Sequence, residues 1–388
     1  MIDMLRLTSK KFLRVGIVSG ILHPKYGGPI SVIKSHVIGF DSSVQTEIFG
    51  VIQADENNEV RKLFPEARLF RKSFPSRWFH GRGLESGLEE AAAHLDLFHA
   101  HMLWDHPTWA TWRVAKRNGK PFVVTPHGSF SETWRINGLH KRVYSWLILN
   151  GLLNDVGAVH VLTQAESEAC RNWGFKGRVK IIPNALPARE FVRPRDPELA
   201  WRRWPFLKNR RIMLYLGRLW WQKGLDILPE AWAAAQRDDE WLLVLAGPDY
   251  RGYQKELLAK IHALRFEHSI LLVGPVSDEI KSSLFDASEC FILPSHSEGF
   301  SMALLEAMAA SLPCIFTQEC HFTELALYGG GWEIPFKKEI LIKTILEVCR
   351  RTPDENKSMG ERARALGLMK YSAENVAKEL IGLYRSLL

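Results

Sequence analysis

Short β-branched runs alternate with longer helical stretches along the whole chain, and this alternation restricts it to parallel sheets joined by crossover helices. A first series of strands is predicted at Leu13–Ser19, Gln45–Val51, Leu97–His101, Phe122–Thr125, Ala158–Leu162 and Lys180–Ile182. Helices are predicted between them at Ile30–Gly39, Leu84–Leu95, Thr108–Asn118 and Gln164–Asn172. The strand series restarts at Arg211–Leu216, Trp241–Ala246, Ile270–Val273, Cys290–Leu293 and Pro313–Phe316. Helices at Gly224–Arg237, Tyr253–Leu264, Ser277–Ala287 and Met302–Ala310 alternate with those strands. Four prolines, Pro183, Pro187, Pro194 and Pro197, fall between the two series among several charges, which is the composition of a linker or hinge.

A chain of 388 residues is too long for one core and suits two α/β domains. The expected division is 1–190 and 191–371, with a helix over 372–388 completing the first domain. That tail carries an apolar stripe at Val376, Leu380, Leu383, Tyr384 and Leu387. Hydrophobic residues at 46% and charged residues at 24% exclude a disordered chain or a fibrous repeat. Cys170, Cys290, Cys314, Cys320 and Cys349 form no C-x-x-C pair and read as reduced thiols of a cytosolic protein. No apolar run reaches the ~18 residues needed to span a membrane. Arg14 interrupts the apolar stretch after Lys10 and Lys11, so that stretch reads as a first strand rather than a signal peptide. The expected location is cytoplasmic, with peripheral attachment to the inner face of the membrane as an extension.

Ligands of open parallel sheets collect beyond the carboxyl ends of the strands, so the loops there carry the chemistry. Pro294-Ser295-His296-Ser297-Glu298-Gly299-Phe300-Ser301 follows one strand, and Ser301 can cap the helix that carries Glu306. The free amides of that helix start favour a phosphate, while two carboxylates beside an anion make sense as acceptors for sugar or ribose hydroxyls. The alternative is that Glu298 assists the helix terminus and Glu306 forms a salt bridge. Gly217-Arg218-Leu219-Trp220-Trp221-Gln222-Lys223-Gly224 follows another strand, with Arg218 and Lys223 suited to a diphosphate. A solvated basic pair is the alternative there.

These segments resemble the retaining glycosyltransferases of family 4. The family's E-x7-E element matches Glu298 and Glu306, and its G-R-L-x-x-x-K-G element matches Gly217-Arg218-Leu219 to Lys223-Gly224. Gly27-Gly28, Thr125-Pro126-His127-Gly128 and Pro183-Asn184-Ala185 are further matches, with Ala185 standing where the family usually has glycine. The resemblance runs from about Phe12 to the end of the chain, and it implies an α/β GT-B architecture: two Rossmann-like parallel-sheet domains facing an interdomain cleft. It implies a nucleotide-diphosphate sugar as donor, with Arg218 and Lys223 neutralising the diphosphate. Glu298 would contact the transferred sugar, helped by the amides of Gly299, Phe300 and Ser301, and Glu306 would bind the ribose. Gly27 and Gly28 would let the first loop approach the phosphates, and His127 would sit near the reacting sugar. Retention at the anomeric carbon is implied, without an enzyme nucleophile.

Charge developing on a departing phosphate needs stabilising, and an Arg/Lys clamp can supply that. No D-x-D occurs in the chain, so catalysis without a metal is expected, and no cofactor is expected. His99, His101 and His106 could be imagined around a metal, but polar strand ends account for them.

Residues 1–196 hold 27 basic and 18 acidic residues, which points the first half toward an anionic partner or leaves it a solvated basic surface. The segment Arg68–Arg82 contains five Arg or Lys, four aromatics and no acid. It suits contact with an anionic membrane surface rather than nucleic acid, with an ordinary core-covering loop as the alternative. Trp104, Asp105, Glu132 and Trp134 are candidates for a saccharide or lipid-linked acceptor, although tryptophans packed at strand ends are equally consistent. The leading expectation is a glycosyltransferase of cell-surface polysaccharide or glycolipid synthesis. A sugar-nucleotide epimerase, a phosphorylase or a silent glycan- or partner-binding subunit are the rivals.

Overall fold

The computed structural model describes residues 12–23, 28–130, 148–235 and 240–388. Contacts divide the chain into two compact units, one formed by Met1–Ala185 with Ala373–Leu388 and the other by Leu186–Ser372.

The first unit is built on a seven-stranded sheet of β1 (Leu13–Ser19), β2 (Val44–Ile52), β3 (Arg68–Arg71), β4 (Leu97–His101), β5 (Phe122–Thr125), β6 (Ala158–Val161) and β7 (Val179–Ile181). Every pairing is parallel, in the order β3-β2-β1-β4-β5-β6-β7. Strands β4, β5 and β6 are buried at every position, as strands covered on both faces must be. The C-terminal helix Ala373–Arg385 packs against the helix Gly28–Gly39. Gly39 permits that approach: a Cβ there would lie 2.2 Å from the Ala373 carbonyl oxygen. Val376, Leu380, Leu383 and Tyr384 of the C-terminal helix are buried in the same core as Ile30 and Ile33. Ala185 is fully buried in that core too, so the methyl standing in place of glycine has room.

The second unit repeats the plan with β8 (Arg211–Leu216), β9 (Trp241–Ala246), β10 (Ile270–Gly274), β11 (Cys290–Leu293), β12 (Cys314–Thr317) and β13 (Gly331–Ile334). Their order is β10-β9-β8-β11-β12-β13, again wholly parallel. In both units the order reverses beside the first strand, between β1 and β4 and between β8 and β11. That reversal opens a crevice beyond the strand ends, the usual ligand position in such sheets.

The structure departs from the predicted elements in several places, and it holds helices at Asn57–Leu63, Lys338–Arg350 and Pro353–Tyr371 that were not predicted. Arg68–Arg71 is an edge strand, hidden from pattern reading because charge at both ends suits a sheet edge. β13 is a second short edge strand that the pattern did not reveal. The helix predicted from Gly224 starts at Leu228, because Gly224 takes a left-handed φ of 80° that ends a 3₁₀ turn. The boundary between the units, Ala185 to Leu186, falls inside the proline-rich stretch, and the residues after it fold into the second unit: a helix forms at Ala188–Val192, and Arg193 holds Asp286 with hydrogen bonds of 2.5 and 3.0 Å. Among the described residues no helix is long and apolar enough to cross a membrane.

A chain of polar groups runs through the core of the first unit. The Tyr384 hydroxyl lies 2.6 Å from His99 Nδ1, and His99 Nε2 lies 2.7 Å from Thr125 Oγ1. Thr125 Oγ1 lies 2.7 Å from His160 Nδ1, and His160 Nε2 lies 2.9 Å from the Ile182 carbonyl oxygen. A carbonyl can only accept, so His160 Nε2 carries the proton and its Nδ1 accepts from Thr125. Thr125 then accepts from His99 Nε2–H, and His99 Nδ1 accepts from Tyr384. Tyr384→Phe is therefore expected to strand a buried acceptor at a cost of about 1–3 kcal/mol, read as a lowered denaturant midpoint at unchanged slope. An unaltered midpoint would show that the hydroxyl contributes nothing to the core.

Candidate functional site

The chemistry of the second unit gathers where β8 and β11 end. After β8 the chain passes Gly217 while the loop after β9 passes Gly247, whose φ is 140°. A Cβ on Gly247 would lie 1.9 Å from the Gly217 carbonyl oxygen, so only glycine allows the two backbones to touch. Leu219 N donates to the Pro248 carbonyl at 2.8 Å, extending the β8–β9 pairing into the loops. Arg218 projects from this loop, exposed, with its guanidinium carbon 5.0 Å from the Tyr250 ring centroid. The Tyr215 hydroxyl donates to the Arg218 carbonyl at 2.9 Å. Burial and the Glu298 charge push that phenol well above its ordinary range, while Arg218 opposes them.

The 3₁₀ turn Trp221–Lys223 then brings Lys223 across to the loop after β11. Its Nζ lies 2.5 Å from Glu298 Oε1, with both side chains largely buried. Three further bonds hold these loops in register. Gln222 O accepts from His296 N at 2.8 Å and from the Ser295 hydroxyl at 3.0 Å, and Thr317 donates to the Ser295 carbonyl at 2.6 Å. Gly224 lies against Pro294, where a Cβ would be 1.9 Å from the carbonyl oxygen.

Ser301 caps the helix Met302–Ala309 by accepting from Leu304 N. Gly299 is exposed with open space around it, whereas the Phe300 ring turns inward, 4.6 Å from Phe322, and leaves only its backbone to the site. Glu306, inside that helix, lies 2.7 Å from Lys281 Nζ on the helix Asp278–Ala287. Burial raises the Glu306 carboxyl. The Lys281 ammonium is raised by Glu306 and Asp278 against the opposing effect of burial.

In the first unit, His127 follows β5 with a left-handed φ of 50°. The turn is pinned by Gly128 N donating to Glu166 Oε1 at 2.5 Å and Ser129 N to the Pro126 carbonyl at 3.1 Å. His127 Nε2 lies 2.9 Å from His101 Nδ1. Trp104 donates from Nε1 to the Ser129 carbonyl at 3.1 Å and meets Trp173 edge-on. Asp105 is buried and caps the helix His106–Arg117 by accepting from Thr108 N at 3.0 Å. Burial pushes its carboxyl up to about 6. Gly28 begins the first helix, while Gly27, Glu132 and Trp134 lie outside the described residues.

The structure thus brings Lys223 and Glu298 into contact, carries Gly217 and Arg218 on the same loop as Lys223 and Gly299 and Ser301 on the same loop as Glu298, and pairs Glu306 with Lys281. His127, Trp104 and Asp105 belong to the other unit. Pattern reading missed Lys281, Tyr250 and Gly247 because each enters from an element remote in sequence, and it missed Glu166, which resembles any acid in a helical first turn. His99 is engaged by Tyr384 and Thr125, and among the described residues no group of three His, Cys, Asp or Glu is placed to hold a metal ion.

Of the basic aromatic segment, β3 takes Arg68–Arg71, and Arg68 pairs with Glu90 at 2.7 Å. Trp78 turns against His106 and Trp109, Lys72 covers the Phe79 ring, and Phe74 stays 90% exposed.

Two Rossmann-type parallel-sheet units, one carrying a cationic loop and a Lys–Glu pair at its switch point, have the fold plan of the GT-B class. Family models agree: residues 39–190 match Glycosyltransferase Family 4, and residues 200–366 match Glycosyl transferases group 1. The chain belongs to the family 4, group 1 glycosyltransferases.

It is 25% identical over 304 residues to a glycosyltransferase of Methanocaldococcus jannaschii, spanning 75% of each protein. It is 26% identical over 216 residues to a GDP-mannose:cellobiosyl-diphosphopolyprenol alpha-mannosyltransferase of Xanthomonas oryzae. That match takes in 55% of this chain and only about half, 53%, of the relative. The fold matches the crystal structure of Anabaena HepE in complex with UDP at a TM-score of 0.79, with 17% identity and coverage of 96% of this chain and 100% of that one.

Gly224→Ala combines a left-handed φ with a backbone clash. It is expected to cost more than about 2 kcal/mol and to lower the Tm by several degrees, displacing Lys223 from Glu298. A variant as stable as the parent would show that the loops can separate freely.

Proposed function

We propose that this glycosyltransferase takes a sugar from a nucleotide-diphosphate donor held by the second unit and passes it, with retention and without a metal, to a saccharide or lipid-linked acceptor. The observation that carries this reading is the Lys223–Glu298 pair at 2.5 Å, which joins the loop after β11 to the same post-β8 loop that presents Arg218, exposed over Tyr250. Lys223 is held by a carboxylate, so Arg218 supplies the net positive charge that faces a diphosphate. Glu298 keeps a second oxygen for sugar hydroxyls, and the exposed amide of Gly299 lies beside it. Glu306, paired with Lys281 Nζ at 2.7 Å, can accept from ribose hydroxyls.

In the transfer step the glycosyl–oxygen bond breaks and its electron pair stays on the terminal phosphate oxygen. The acceptor oxygen bonds to the anomeric carbon from the same face, and its proton passes to the departing phosphate. Arg218 and Lys223 stabilise the charge that the phosphate gains.

The functions of the relatives support the donor and acceptor classes. The Xanthomonas enzymes use GDP-mannose and a diphosphopolyprenol-linked acceptor, and a Salmonella typhimurium relative is a lipopolysaccharide 1,2-N-acetylglucosaminetransferase. Cell-surface polysaccharide or glycolipid synthesis at the cytoplasmic face of the membrane is the setting that fits them. Phe74, exposed beside Arg71 and Lys72, is the part of the basic segment free to meet an anionic bilayer.

Screening UDP, GDP, ADP and dTDP sugars by thermal shift is expected to identify one base. With that donor, Arg218→Ala should weaken nucleotide binding about tenfold or more by calorimetry. Glu298→Gln should abolish most transfer with a small change in Tm, since the amide oxygen still accepts from Lys223. Transfer should persist in EDTA. Unchanged affinity in Arg218→Ala, or rescue only by Mn²⁺ or Mg²⁺, would overturn the clamp or the metal-free step. Conversion of the sugar without any acceptor would favour an epimerase. Separately, charge reversal at Arg71, Lys72 and Arg77 with Phe74→Ser should reduce sedimentation with vesicles containing phosphatidylglycerol, and equal binding would remove that surface from the account.

A further inference from the structure

His127 stands at the end of a histidine cluster whose geometry defines the state of its ring. His101 on β4 is fully buried, stacked on His99 with ring centroids 4.5 Å apart and on His127 at 5.2 Å. His99 cannot turn, because the chain from Tyr384 to the Ile182 carbonyl uses both its nitrogens. Stacking on that fixed ring holds His101 in plane, with Nδ1 directed at His127 Nε2 across 2.9 Å.

Two neutral imidazoles sharing one hydrogen bond must place the proton on one side. Burial, with the neighbouring His160, lowers His127 to about 3, and burial likewise lowers His101 well below its ordinary value. The other titratable groups packed around the pair are His36 on the first helix, His99 on β4, His160 on β6 and Glu166, whose oxygens accept from the Gly128 and Leu162 amides.

His101 Nε2 is buried and has no partner among the described residues. If His127 donated, His101 would carry its proton on that nitrogen and leave a buried N–H without an acceptor. If His101 donates, the same nitrogen is a bare lone pair. A donating His127 would thus add a second unpartnered buried N–H to the one that neutral His36 beside it already carries, both of whose nitrogens lack partners among the described residues.

Resting on the transfer reading above, we propose that His101 is a positioning residue that fixes His127 as its Nδ1–H tautomer. His127 then presents that N–H to a ligand oxygen as a neutral hydrogen-bond donor rather than as an acid or base. His127 is half-buried, and its Nδ1 has no partner among the described residues, so that N–H is free to meet a ligand. The C-terminal helix thereby bears on His127 through Tyr384, three contacts away by way of His99 and His101.

The tautomer can be read without any activity. In protein labelled with ¹⁵N-histidine, the His127 ring, assigned by its loss in His127→Asn, should show a protonated Nδ1 and bare Nε2. Its shifts should stay flat from about pH 5.5 to 8. In His101→Phe the ring should change to Nε2–H or titrate within that range. His101→Gln, whose amide can still donate to Nε2, should keep the parent tautomer. For transfer, kcat should fall about tenfold or more in His101→Phe with little change in the donor KM, and His101→Gln should recover most of it. A native His127 protonated at Nε2, or a tautomer unchanged in His101→Phe, would overturn the assignment. Absence of sugar transfer in the parent protein, with the tautomer as stated, would instead refute only the transfer reading.

Discussion

The contact between Lys223 and Glu298 depends on backbone, not on charge. Lys223 ends a 3₁₀ turn that can close only because Gly224 takes a left-handed φ and presents no Cβ to the Pro294 carbonyl 1.9 Å from where one would sit. One loop away, Gly247 plays the same part against Gly217. These two close approaches lock the loops after β8, β9 and β11 into one surface. A lysine and a glutamate 75 residues apart then meet at 2.5 Å, and Arg218 is presented over Tyr250. Removing either glycine would cost the site its geometry before it cost any charged group.

The two units meet the problem of buried polarity in opposite ways. The second keeps its ionised groups paired: Lys223 with Glu298, Lys281 with Glu306 and Arg193 with Asp286. Breaking one such pair leaves an uncompensated charge in a poor dielectric, so each pair behaves as a unit. The first unit instead gathers the buried His36, His99, His101 and His160 with half-buried His127, all held neutral by desolvation. Neutral imidazoles can be chained donor to acceptor, and the Ile182 carbonyl at one end sets the direction of that chain. Glu166 completes the arrangement by accepting from two backbone amides, one of them in the turn that carries His127.

Most of the fold could be read along the chain. Strands such as Arg211–Leu216 and Cys290–Leu293 carry near-continuous apolar runs because both faces of a central parallel strand are buried, and Leu97–His101 is buried at every position although two of its five residues are histidines. The edge strands Arg68–Arg71 and Gly331–Ile334 escaped, since edges tolerate charge and glycine and so lose the pattern. The proline-rich connection looked like a linker, yet Arg193 and Arg195 tie it to Asp286 and its neighbours. Asp105 was read as a group for acceptor hydroxyls, and the structure places it as a helix cap, a role available to any Asp ahead of a helix.

What the sequence by itself determined is the alternation of strand and helix, the two-unit α/β plan and the short motifs at strand ends, because each is written in residues close together along the chain. Family membership followed from those motifs. Only the tertiary structure decided which charges meet: that Glu306 is held by Lys281, that Lys223 reaches Glu298, and that Tyr384 closes a histidine chain from the far end of the polypeptide. Those contacts arise from sheet order and helix packing, which set distances between residues that no local pattern connects.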